Sequence, residues 1–254
     1  MKLLRTQGLT KHFGGVAAVE DLALDVEEGE ILGLIGPNGS GKTTALNMLS
    51  GFLSPDRGRV FFADEEVTDA TPVALARRGL LRMFQTTRVF SRVSALDNLL
   101  TAGLARGLVE GDAHVRAHAL LEELTLVTVM YLDAGQLSGG QRKLLEFGMC
   151  FIAPPRLALL DEPFAAVHPV MRETMAGFIR RRNEAGHTFL VVSHDMPIVV
   201  DLCARAVCMN AGKVIAAGDI HAVLKSHEVI EAYLGDAPGG AAATLELGTG
   251  GERP

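Results

Sequence analysis

Eight consecutive residues, Gly36-Pro37-Asn38-Gly39-Ser40-Gly41-Lys42-Thr43, combine three glycines with a lysine and two hydroxyls. Successive backbone N–H groups in such a loop, backed by the positive end of a following helix, converge on a polyphosphate. Lys42 adds a full charge near the β and γ phosphates, and the Thr43 hydroxyl can bind Mg²⁺. The chemistry is capture of a nucleoside triphosphate. A second candidate is Asp161-Glu162, which follows the apolar run Leu157-Ala158-Leu159-Leu160. Asp161 at the end of a buried strand can reach the metal held by Thr43, and Glu162 can polarise a water as general base. Two carboxylates there equally suit the positive start of a helix, so the pair alone decides nothing. A third is Leu137-Ser138-Gly139-Gly140-Gln141, ahead of an apolar helix expected from Leu144 to Ile152. Alone it reads as an N-cap turn of small residues. Beside the other two it reads as a second phosphate-binding helix terminus.

The elements that must position these groups are legible around them. Ile31-Leu32-Gly33-Leu34-Ile35 reads as a buried strand before the loop, and Thr44 to Leu49 as the helix after it. Val60-Phe61-Phe62-Ala63 is a strand ending in a polar turn at Asp64-Glu65-Glu66. Thr71 caps a helix with Pro72 at its first position. Between about residues 86 and 155 the β signal gives way to helical spacing at 95–104 and 113–126, with Gly107 and Gly111 between them. Continuous apolar runs at 157–160 and 188–192 fit parallel strands covered on both faces. Residues 206–209 and 213–217 read as a hairpin, and the Gly/Ala-rich end after Leu234 as a mobile appendage.

The bulk composition narrows the partners. A net charge of −6 gives no broad basic field, so nucleic acid is not an expected partner. Cys150, Cys203 and Cys208 lack metal-ligand spacing and sit in apolar surroundings, which fits reduced, buried thiols in the cytosol. The first seven residues are no secretory signal, and no stretch approaches the roughly 20 apolar residues of a membrane span. The chain is expected to be soluble by itself.

With its three motifs together, the chain resembles the ATP-binding-cassette (ABC) ATPases from about residue 3 to 235. The resemblance implies an α/β fold: a P-loop NTPase core with an N-terminal antiparallel β subdomain and an inserted α-helical subdomain. The core would comprise residues 1–85 and 156–235, the helical signature subdomain 86–155, and the tail 236–254. In that family the phosphate loop of one subunit faces the signature motif of another, in a head-to-tail dimer enclosing two ATP molecules. Gly36, Pro37, Asn38, Gly39, Ser40, Gly41, Lys42, Thr43 and Thr44 would bind ATP from one side, Ser138, Gly139, Gly140 and Gln141 from the other. Phe13 falls where the family stacks an aromatic on adenine. Gln85, after Leu80-Leu81-Arg82-Met83-Phe84, looks like the glutamine that contacts Mg²⁺ and water and senses the γ-phosphate. His194, in Val192-Ser193-His194-Asp195, looks like the switch histidine that contacts the γ-phosphate and orients Glu162. The implied catalytic set is Glu162, His194 and Gln85, and the Mg²⁺ ligands are Thr43, Gln85 and Asp161.

Three stretches look like the subgroup that energises uptake of branched-chain and other hydrophobic amino acids: residues 84–90, 9–15 and 229–235. Urea importers and lipopolysaccharide-export ATPases share parts of them, and a soluble ABC ATPase of translation or repair is a further alternative. The importer resemblance implies permease subunits, a second ABC ATPase, identical or not, and indirectly a solute-binding protein. It places the chain peripherally on the cytoplasmic face of the inner membrane. Arg77, Arg78, Arg82, Arg88 and Arg92, with no acidic residue from Ala70 through Leu96, read equally as a solvated basic face or as the lining of a groove, formed by the Gln85 loop and the start of the helical insertion, for a helix of the membrane subunit. Ala166 and His168 depart from the family pattern in the dimer-interface loop, and Met149 replaces an arginine common on the signature helix.

Overall fold

The computed structural model describes residues 1–165 and 167–235. Strands β1 (Lys2–Phe13), β2 (Val16–Leu22) and β3 (Asp25–Glu27) lead into β4 (Ile31–Ile35), and the glycine loop joins β4 to α1 (Lys42–Leu49). Then come β5 (Arg57–Phe62), β6 (Glu65–Glu66), α2 (Pro72–Arg77) and β7 (Leu80–Met83). The middle is helical, with α3 (Ala95–Ala105), α4 (Glu110–Glu123) and α5 (Gly139–Phe151). The remainder alternates: β8 (Leu157–Asp161), α6 (Pro169–Glu184), β9 (Thr188–Val192), α7 (Met196–Leu202), β10 (Arg205–Asn210), β11 (Lys213–Asp219), α8 (Ile220–Lys225) and α9 (His227–Gly235).

β1, β2, β3, β5 and β6 form an antiparallel sheet. The second sheet has the order β11-β10-β4-β9-β8-β7 and is parallel except for the β10–β11 hairpin. Its strands are apolar on both faces because each face has its own core. Ile31, Ile35, Ala158, Leu160, Phe189 and Val191 join the core shared with the helices. The alternate residues Leu32, Leu34, Leu157, Leu159, Leu190 and Val192 join the core shared with the antiparallel sheet and α1. Phe147 and Phe151 of α5 contact Phe178 of α6 with centroids 5.1 and 5.0 Å apart, and Phe151 lies 5.8 Å from Phe189 of β9. Each buried ring contributes about 2 kcal/mol by area alone, so the helical middle is anchored to the sheet.

This topology gathers the chemistry. Met83, Leu160, Val191 and Gly33 stand in one row across the parallel strands. The segments holding Gln85, Asp161-Glu162, His194 and the glycine loop therefore leave one common edge, where open parallel sheets bind ligands.

Three local expectations change. Glu65 and Glu66 pair with Phe62 and Phe61 as a strand; the turn is Ala63-Asp64, with φ of 50° and 64° matching the right-handed twist of a tight hairpin. Gly111 lies inside the first turn of α4 with Glu110 and Asp112, whose charges suit the helix's positive end. α5 begins at Gly139, well before Leu144, because Ser138 and Gln141 close a reciprocal capping box. The tail 236–254 and Ala166 lie outside the described residues.

Candidate nucleotide site

The loop's glycines are demanded by close approach. A Cβ on Gly36 (φ 142°) would lie 2.1 Å from the Met209 carbonyl oxygen, and one on Gly41 (φ 103°) 2.4 Å from that of Ala18. Gly41, the N-cap of α1, has no side chain to cap the amides of Thr43 and Thr44, and the first turn carries no acid. Those amides and the helix dipole are left to an anion. Lys42 Nζ donates to the carbonyls of Gly36 and Pro37 at 2.7 Å each and to Ser40 Oγ at 3.1 Å. From the other end of the chain Tyr233 Oη accepts a hydrogen bond from the Gly36 N–H at 2.8 Å.

Residues 38–44 share the wall of one cavity of about 230 Å³ with Gln85, Asp161 and Glu162. A hydroxyl, an amide and a carboxylate are hard oxygen donors of the kind Mg²⁺ takes alongside substrate phosphates. Among the described residues no cluster of three or more Asp, Glu, His or Cys could hold a metal unaided. A cation here would draw the rest of its shell from phosphate oxygens and water.

The two carboxylates are held differently. Asp161 Oδ2 accepts from Arg82 Nη2 at 2.8 Å, with both side chains 4% exposed. Glu162 Oε2 meets His194 Nδ1 at 2.9 Å, and the Glu162 N–H donates to the Val192 carbonyl at 2.9 Å. Glu162 itself has φ 49°, a left-handed backbone that costs a non-glycine residue about 1 kcal/mol or more. Such strain persists where surroundings over-determine it, and Glu162 lines the cavity.

Other expected residues stand apart. Phe13 lies half exposed at the end of β1, and Ser138 to Gln141 are absent from the cavity wall. In the single chain Ser138 Oγ accepts from the Gln141 N–H at 3.2 Å and Gln141 Oε1 from the Ser138 N–H at 3.0 Å. Gly140 abuts Met171 of α6, whose sulfur would lie 2.6 Å from an added Cβ. His168 caps α6, its Nδ1 accepting from the Val170 N–H at 3.4 Å. Cys203 and Cys208 are buried and Cys150 partly so, all free.

The expectation of an arginine-lined groove needs one correction. Arg82 points inward to Asp161, because a guanidinium on the strand next to β8 lies within reach of its carboxylate. Arg78 pairs with Glu65 at 2.8 Å, and Arg88 stacks 4.0 Å from the Phe84 ring centroid.

Several residues at the site escaped sequence reasoning. Lys143 Nζ donates to the carbonyls of Phe84 and Gln85 at 2.9 and 3.1 Å, and Glu146 Oε1 accepts from the Arg88 N–H at 3.1 Å. These two charges, on the buried face of α5, tie the helix to the Gln85 loop. Their i,i+3 spacing within an apolar helix was the available signal. Arg172 Nε donates to the Val167 carbonyl at 2.8 Å and Nη1 pairs with Asp195 at 2.5 Å, bracing the loop after Glu162 against the one after His194.

The sequence profile of the family described as ABC transporter matches residues 19–165. The chain belongs to the ABC transporter family. This cassette is 33% identical to a probable branched-chain amino acid transport ATP-binding protein LivG of Methanocaldococcus jannaschii, covering 93% of this chain and 98% of the relative. It is 37% identical to the protein of the same name in Archaeoglobus fulgidus, over 92% and 96% of the two chains. The crystal structure of the ADP conformation of an ATP-binding cassette of an ABC transporter is similar, with TM-score 0.81, 32% identity and coverage of 92% and 99%. The α/β cassette fold expected from the motifs is the observed one.

Proposed function

We propose that this cassette is the ATP-hydrolysing subunit of an importer for branched-chain or other hydrophobic amino acids. The observation that carries the ATPase reading is the convergence of residues 38–44, Gln85, Asp161 and Glu162 on one cavity, with the Ser138 helix start outside it. The cargo reading draws on the amino acid transport relatives.

Lys42 and the amides of the loop bind and orient the triphosphate. Thr43, Gln85 and Asp161 would hold Mg²⁺, which would offset the negative charge that develops on the phosphates. Glu162, whose Oε2 meets His194 Nδ1 at 2.9 Å, accepts a proton from the attacking water. Ser138, Gly139, Gly140 and Gln141 of a second cassette close the γ-phosphate side, and Phe13 stacks on the adenine. The partner completes what one chain leaves open.

Among the described residues no helix is long and apolar enough to cross a membrane, and we propose peripheral attachment through permease subunits on the cytoplasmic face. Phe52 and Phe90 are 50% and 54% exposed, and Phe52 meets Phe84 edge to face at 5.2 Å. With Arg77, Arg88 and Arg92 they form an apolar, cationic surface that suits a permease helix bearing carboxylates.

Glu162→Gln tests the base assignment. ATP binding should persist, an ATP-bound dimer should accumulate, and turnover should fall roughly 10²-fold or more. Near-normal hydrolysis in that variant sinks the assignment.

A further inference from the structure

Nucleotide binding does not by itself call for the pairing of Asp161 with Arg82. The guanidinium is the hub of a buried set: Nη2 donates to Asp161 Oδ2 at 2.8 Å, and Nη1 donates to Asn47 Oδ1 at 2.6 Å and Ser50 Oγ at 3.2 Å. Its carbon lies 4.9 Å from the Phe84 ring centroid. The fork thus ties together α1, which carries Thr43, the end of β8, which carries Asp161, and the strand that leads to Gln85. Arg82 Nε is buried without a partner. A buried ion pair repays its desolvation only when geometry and hydrogen bonding are complete, and this one is incomplete. Stability alone is a poor reason for it.

We infer that Arg82 is a positioning residue, the resting counter-ion of Asp161, which fixes that carboxylate before a divalent cation arrives with the nucleotide and sets how tightly the cation is held. This rests on the reading that Asp161 faces Mg²⁺. In the resting chain the Asp161 carboxylate, 4% exposed, would otherwise be left without a counter-ion or a fixed orientation. Arg82 prevents this by occupying Oδ2 alone, so Oδ1 keeps no contact with the guanidinium. When the cation comes, one carboxylate serves two cations through separate oxygens, and the fixed positive charge opposes the arriving one. Repulsion of that kind limits affinity and keeps the metal exchangeable with each turnover. The fork to Asn47 and Ser50 stops the guanidinium from following the carboxylate outward. A lysine carries the charge but not the fork.

The test uses the full chain with ATP, titrating Mg²⁺ and reading the cation concentration that half-saturates ATP binding. It also compares the melting shift given by Mg²⁺-ATP with that given by ATP and chelator. In Arg82→Met the half-saturating Mg²⁺ concentration should fall roughly tenfold or more, the effect of deleting one unit charge about 6 Å from a divalent cation even at the dielectric of bulk water. The metal-free protein should melt lower than wild type, and Mg²⁺-ATP should close most of that gap. Arg82→Lys, retaining the charge, should keep the half-saturating concentration within about twofold of wild type while melting lower. Arg82→Gln keeps an N–H donor against Asp161 and carries the same expectation as Arg82→Met where that variant does not fold. An unchanged or higher half-saturating concentration in the neutral variants, with wild type itself Mg²⁺-dependent, overturns the inference and leaves the nucleotide site standing. Mg²⁺ dependence in Asp161→Asn equal to wild type removes the metal role of Asp161 and the inference with it.

Discussion

Replacing Lys143 with methionine should loosen the Gln85 loop, and the cost can be worked from the bonds it breaks. Lys143 Nζ donates to two carbonyls of that loop and lies 3.6 Å from Glu146 Oε2, with the two side chains 5% and 6% exposed. Glu146 Oε2 has no hydrogen-bond partner besides. Each broken hydrogen bond costs about 1 kcal/mol, and leaving a buried carboxylate without its cation brings the total to about 3–5 kcal/mol. Protonation limits that total. Burial already pushes the Glu146 carboxyl above its usual range, with the Lys143 charge pulling it back down. Without Lys143 the carboxyl rises further and sheds its charge more readily as pH falls. Urea unfolding followed by circular dichroism should therefore show a deficit of about 3 kcal/mol or more at pH 7.5 that shrinks towards pH 5.

The linkage has a definite sign. A carboxyl raised by folding binds more protons folded than unfolded, so its contribution to stability is best at low pH and declines as pH climbs from the unfolded to the folded pKa. Glu146→Gln should flatten that decline while still accepting from the Arg88 N–H. The double variant Lys143→Met/Glu146→Gln should lose less than the sum of the single losses by about 1 kcal/mol or more. ATP binding should survive Lys143→Met while turnover drops, since the two severed hydrogen bonds held the Gln85 segment and not the phosphate loop. A pH-independent deficit, or strict additivity of the two substitutions, would refute the reasoning.

Two further outcomes follow from burial and from one long-range hydrogen bond. Burial pushes Cys150 and Cys203 up to about 12 and Cys208 up to about 11, so maleimide at pH 7.5 should label the folded chain slowly at all three and rapidly after denaturation. Tyr233→Phe removes the acceptor from the Gly36 N–H; that bond is worth about 1 kcal/mol, and ATP titration should show an affinity change of about fivefold, with an unchanged affinity counting against any role in the loop.

How much of this was written locally differs by residue. The glycine loop and the strands before it and before Asp161 were legible because an uninterrupted apolar run bounded by polar chemistry has few alternative structures. The capping at Thr71 was equally local, its Oγ1 accepting from the Ala74 N–H at 3.3 Å. Arg82 was not legible. Its inward turn depends on β7 lying beside β8 in register, a pairing across about eighty positions that no spacing rule announces. The hairpin at Ala63-Asp64 failed for a smaller reason: non-glycine residues with positive φ leave little trace in composition. The early start of α5 depended on a reciprocal side-chain cap that also fits the motif's phosphate-binding reading.

The bond between Tyr233 and Gly36 joins positions 197 residues apart, and β4 lies between β9 and β10, both made long after it. On a ribosome the phosphate loop would emerge early and wait. Its strand gains its neighbours only when residues 188–210 have been synthesised, and its first glycine amide is capped later still. A nascent chain halted before that point would carry the whole motif without the site's scaffold. Vectorial synthesis thus defers nucleotide capture until nearly all of the described chain has been made.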